Sequence, residues 1–164
     1  PDFVGRKQEV PAKAIAPGIG MASGRPLGGT ILECVEAPRQ VVDPNTNLGI
    51  ILLIAPLAAV PSSKSLTDGI GEVLKNTTVD DSIAVYEAIR RAQPAGLGEV
   101  KDQDLQQAPT QNLVKCMRLA ADRDLIASQY TNCNGWRRLS RRLNLPPIRS
   151  HGLLCGFLGN SETA

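Results

Sequence analysis

Three stretches of the chain hold side chains of the kinds that do chemistry. In the first, Asn45-Thr46-Asn47 runs directly into an aliphatic wall that begins Leu48-Gly49. A helix starting there would offer free N–H groups and the positive end of its macrodipole, a combination that favours anions. The two Asn and the Thr add donors, and Gly49 leaves room for a ligand to approach the backbone. Asn is also among the preferred helix caps, so spacing alone favours a purely structural role in which one Asn caps the helix and the others face water. In the second stretch, AADRDLIASQY (residues 120–130), Asp124 comes seven residues after Met117 and so points the same way on a helix. A carboxylate at the edge of an apolar stripe is paired, ligated to metal or used in chemistry. A salt bridge to a neighbouring helix is the structural alternative, and Arg118 with Asp122 can pair at i,i+4. The third stretch, RRLSRRLNLPPIR, sets Arg137, Arg138, Arg141, Arg142 and Arg149 beside Trp136. Aromatic interleaving there is minimal, so a solvated basic segment is favoured over a nucleic-acid binder.

Other motifs carry less. PGIGMASG lacks the G-x-G-x-x-G spacing, a preceding strand and a subsequent Gly-Lys-Ser/Thr, and reads as loop. Cys34, Cys116, Cys133 and Cys155 are scattered, with only His151 as a further ligand type, so reduced thiols are expected rather than zinc.

The elements that must position these residues are helical. The 164 residues suffice for one domain, with 42% hydrophobic, 21% charged and only 3% aromatic residues. Such a core is aliphatic and rich in Ala, which suits helix packing. The net charge of +2 divides into a slightly acidic body and a basic tail, residues 131–164 holding five Arg against one Glu. The chain opens on Pro1 with no basic-then-apolar leader, which predicts a processed chain or a piece of a longer one. The longest apolar run, Leu48 to Val60, falls short of the roughly 20 residues that span a bilayer, so it belongs to the core.

Residues 1–26 read as a loop-like segment, 27–130 as a helical core and 131–164 as an irregular basic tail. Leu27, Ile31, Cys34, Val35 and Val42 recur at helical spacing, with an early end or kink expected at Pro38. A helix apolar on all sides is predicted over about 47–60, capped by Asn45 or Asn47 and bent at Pro56. A weaker helix is predicted over 65–76. Thr78 with Asp81 forms a capping box opening a helix whose Val79, Ile83, Tyr86 and Ile89 face inward. A last helix should run from Thr110 to about Tyr130. No period-two strand pattern appears. The expected fold is all-α, a single helical domain around the buried central apolar helix.

These segments also carry a family resemblance. GGTILECVEAPRQVVDPNTNLGIILLIAPLAAVP resembles the central part of the triphosphoribosyl-dephospho-CoA synthase family, and EAIRRAQPAGLGEV and LAADRDLIASQY resemble the family's subsequent segments. The likeness spans roughly residues 26–130, and Asn-Thr-Asn-Leu-Gly is its most specific element. It implies an all-α, cytoplasmic transferase that takes ATP and 3′-dephospho-CoA, displaces adenine and joins the triphosphoribosyl group to a ribose hydroxyl. Asn45, Thr46, Asn47, Gly49 and Arg39 are then the phosphate-binding candidates. Asp124 is the catalytic candidate, as base, as stabiliser of oxocarbenium character, or as a ligand of Mg²⁺ on the phosphates. The Pro-Lys-Pro-Gly segment of family members is missing, and the likeness stops near Tyr130. The resemblance leaves two functions from different classes: a transferase, whole or weakened by missing ends, and a non-catalytic helical module whose exposed apolar surface takes a partner or a second copy.

Overall fold

The computed structural model describes residues 13–37, 48–92 and 107–143, with side chains as far as Arg138. All regular structure among the described residues is helical. A helix over 13–20 (α1) precedes α2 (Leu27–Glu36), α3 (Leu48–Ala58), α4 (Leu66–Lys75) and α5 (Val79–Ala92). The short α6 (Leu113–Arg118), α7 (Leu125–Asn132) and α8 (Asn134–Leu143) complete it. No described helix is long and apolar enough to cross a membrane.

Local signals place several ends. α2 runs to Glu36, and Ala37, its C-cap, still holds right-handed helical geometry although Pro38 follows it in the sequence. Ser65 caps α4, its hydroxyl accepting from the Asp68 N–H at 3.2 Å. The capping box forms as the sequence predicts: Asp81 Oδ2 accepts the Thr78 N–H at 2.8 Å, and Thr78 Oγ1 accepts the Asp81 N–H at 3.2 Å.

The tightest pairing joins α2 to α5. A Cβ on Gly28 would collide with the backbone of Asp81, so only glycine lets the two backbones approach this closely. The Gly28 N–H donates to Asp81 Oδ1 at 2.7 Å, which gives one buried carboxylate two tasks: it closes its own helix and holds the start of α2. Arg91 bridges the pair at the surface, to Glu36 of α2 and to Glu87 of its own helix. The inward face of α5 is Asp81, Ser82, Val85, Tyr86, Ala88 and Ala92, with Ile89 packed against the core, so Tyr86 and Ile89 face in as expected. Val79 and Ile83, expected inside, are exposed. The sequence pattern admits either face; buried Ser82 donates its hydroxyl to the Gln111 carbonyl at 2.7 Å.

Three expectations need correction. The segment 1–26 is not loop throughout, because Ile15 and Ile19 are one turn apart on α1 and both enter the core. Within the expected irregular tail, α7 runs on to Asn132 and α8 (Asn134–Leu143) follows with a buried Trp136; residues 144–164 lie outside the described residues. The helix expected from Thr110 to Tyr130 is two helices. Asn112 caps α6, turns come next, and α7 starts afresh after Asp124. A short polar side chain that accepts from nearby amides offers the backbone an alternative to helix continuation, and Asp124 does this.

α3 is central, yet it is not covered on every side. Ile51, Leu52, Ala55 and Pro56 are buried, whereas Ile50 and Ile54 are 51% and 40% exposed. One face of the most apolar helix meets solvent.

Candidate functional site

Pro56 lies inside α3 and brings no N–H, so the Leu52 carbonyl four residues back has no helical donor. The Tyr130 hydroxyl, from the far end of α7, donates to that oxygen at 2.7 Å. The Trp136 Nε1–H donates to the next carbonyl, Leu53, at 3.1 Å. The two rings meet edge to face with centroids 5.4 Å apart. Tyr130 is 1% exposed, and burial pushes its phenol well above the ordinary range, so it stays a neutral donor. Sequence reasoning missed both residues as partners of α3. The signal was present in Pro56, which announces one carbonyl in need of a donor.

With its middle held this way, α3 presents its first turn to that of α7. Gly49 is the second residue of α3 and Ile126 the second of α7; a Cβ on Gly49 would lie 3.1 Å from Ile126 Cδ1. The space expected at Gly49 for a ligand is thus used, on this side, by a side chain of α7. Two residues before Ile126 stands Asp124, the N-cap of α7. Its Oδ1 accepts the N–H of Ile126 at 2.7 Å and of Ala127 at 3.1 Å. Asp124 is solvent-exposed, and its place on one helix face with Met117 does not survive the break between α6 and α7. The helix that would have paired Arg118 with Asp122 ends at Arg118.

The geometry therefore joins two of the residues singled out from the sequence: Gly49 and Asp124 border one junction between two helix N-termini. Arg39, Asn45, Thr46 and Asn47 lie outside the described residues. Ile50, the chain neighbour of Gly49, and Leu125, the neighbour of Asp124, are exposed, Leu125 at 84%. Among the described residues, no cluster of three His, Cys, Asp or Glu side chains could hold a metal ion. Cys34, Cys116 and Cys133 are buried, reduced thiols. Burial, aided by the Glu33 charge and opposed by Arg25, pushes the Cys34 thiol up to about 11, which suits packing rather than reactivity.

An open depression of about 640 Å³ lies elsewhere, over α4 and the loop before it. Lys64, Ser65, Asp68, Glu72 and Lys75 line it, and none belongs to the α3–α7 junction. Two carboxylates among so few groups make a poor seat for a triphosphate, and Lys64 is already paired with Glu72.

Among the described residues the protein is all-helical, and Gly49 and Asp124 stand at the starts of two helices that meet. The chain belongs to the ATP:dephospho-CoA triphosphoribosyl transferase (CitG) family, whose model matches residues 9–138. The match takes in α1 and continues past Tyr130 to include Trp136, so the sequence likeness drawn at 26–130 was too narrow at both ends. No curated protein and no solved structure matches the chain. ATP and dephospho-CoA are the substrates that the family's name carries.

Proposed function

We propose that this chain transfers a 5-triphosphoribosyl group from ATP to 3′-dephospho-CoA at the junction where α3 and α7 begin. The observation that supports the reading is the close approach of Gly49 to Ile126, which brings the first turn of α3 to the first turn of α7, the helix that Asp124 caps. Family membership supplies the reaction class.

In the reaction the bond between adenine and the ribose anomeric carbon breaks, and a bond from that carbon to an acceptor hydroxyl forms. The proton leaves the hydroxyl, and adenine takes up the electron pair of its broken bond and a proton. Asn45, Thr46, Asn47 and Gly49, with Arg39, are the groups for the triphosphate, since α3's free N–H groups favour anions. Asp124 is the group for the positive charge that develops on the ribose. Its two amide bonds at Oδ1 fix its direction in advance, which is what electrostatic stabilisation of a transition state requires. Mg²⁺, when bound to the triphosphate, neutralises phosphate charge. It usually keeps several waters and needs only one or two carboxylates, a demand Asp124 fits and a three-ligand cage does not.

The test is adenine release from ATP, with and without dephospho-CoA and Mg²⁺, in the wild type, Asp124→Asn and Asp124→Ala. Asn caps a helix as well as Asp does, so Asp124→Asn keeps the fold and removes the charge. A rate loss of about 100-fold or more at unchanged melting temperature is expected. Full activity in Asp124→Asn would reduce Asp124 to a cap.

A second reading rests on the exposure of Ile50 and Ile54, one turn apart on α3: a non-catalytic module that associates through this apolar face. It predicts a concentration-dependent dimer in sedimentation, abolished by Ile50→Asp with Ile54→Asp, and no adenine release.

A further inference from the structure

We infer that Tyr130 is a positioning residue whose hydroxyl replaces the amide proton that Pro56 lacks, and thereby sets the first turn of α3 against α7. The inference rests on the junction being the triphosphate site. It goes beyond that reading by assigning control of the site to a residue that has no place at its surface.

Within α3, the Leu52 carbonyl closes its helical bond only if residue 56 has an N–H. Proline removes the N–H, and its ring crowds the same carbonyl. A buried carbonyl left without a donor costs on the order of a full desolvation penalty, so the helix ahead of Pro56 would fray or shift. Tyr130 supplies the missing donor from 78 residues away, at 2.7 Å and out of contact with water. Trp136 backs the phenol ring and holds the neighbouring carbonyl. The segment freed by the proline is the one that begins near Gly49 and meets Ile126. α7 therefore touches α3 twice, with Ile126 at its first turn and Tyr130 near its end. The register of these two contacts decides where Asp124 stands relative to the start of α3.

A double-variant cycle tests this. Tyr130→Phe removes the hydroxyl alone. Pro56→Ala restores the backbone donor to Leu52 and makes the hydroxyl redundant. In Tyr130→Phe, amide hydrogen exchange in α3 ahead of Pro56 should quicken on the order of tenfold, with α2 and α5 unchanged. The KM for ATP should rise by a similar factor with kcat nearly constant, the mark of lost positioning for binding. Tyr130→Phe combined with Pro56→Ala should return both to the wild-type range. A double variant no better than Tyr130→Phe would overturn the inference. So would a fall in active fraction with KM unchanged, since a merely structural tyrosine predicts that. A wild type that neither binds ATP nor releases adenine would overturn the transferase reading and the site-positioning role with it, while the exchange pattern would still decide the Tyr130–Pro56 coupling.

Discussion

The α2–α5 pair and the α3–α7 junction are built on opposite plans. In the first, glycine faces backbone, a single buried carboxylate satisfies Gly28 and Thr78, and Arg91 closes the edge. Each of these polar groups is used within the pair. In the second, a proline leaves one helix short of a bond, a distant phenol makes it up, and a capping carboxylate stays in water. Regions that bind and act are drawn from the less stable part of a structure, because they must admit a ligand. On the proposed function, α2–α5 is the scaffold and the work falls to α3–α7.

Substitutions can break or sharpen that division. The largest stability effect should come from Gly28→Val, where added atoms meet the Asp81 backbone, which cannot move aside as a flexible side chain would. A loss of about 3 kcal/mol or more is expected, at the upper end for overpacking, read as a lower urea midpoint. A mild effect would mean that the pair is looser than its backbone contact implies.

Next comes the alkaline limb of stability, which probes the scaffold through Cys34. Burial raises its folded pKa to about 11 from an ordinary 9.0. Below pH 9 the thiol is protonated folded and unfolded, so its contribution is fully present. Between 9 and 11 the unfolded chain releases the proton and the folded chain keeps it, so stability falls as pH rises. Two pH units correspond to about 2–3 kcal/mol. Urea unfolding from pH 8 to 11 should show a steeper decline in the wild type than in Cys34→Ala, and equal slopes would place the thiol in a wetter setting.

The smallest stability change should come from Gly49→Ala. The new Cβ would face the end of the Ile126 side chain, which can give by a few tenths of an ångström. A loss under about 1 kcal/mol is expected, together with a weaker apparent affinity for ATP in the adenine-release assay. An unchanged affinity would separate Gly49 from the phosphate site and blur the division between the two regions.

What the sequence determined alone was local. The all-α class, the Ser65 cap and the Thr78–Asp81 box each depend on signals within about four residues. A cap acts at that range whatever surrounds it. Family kinship was legible for a related reason: the Asn-Thr-Asn-Leu-Gly and Ala-Asp-Arg-Asp runs are contiguous. Tertiary structure decided the rest. Repeating apolar residues did not say that α5 would turn Asp81, Val85 and Ala88 inward and leave Val79 and Ile83 outside, because two overlapping faces satisfied the same period. Nor could they say that Asp124 would start a helix rather than continue one, or that Ile50 and Ile54 would remain in water. Pro56 declared a missing donor from the first, but only the folded chain could bring Tyr130 to it, since a hydrogen bond has short reach in space and no fixed reach along the sequence.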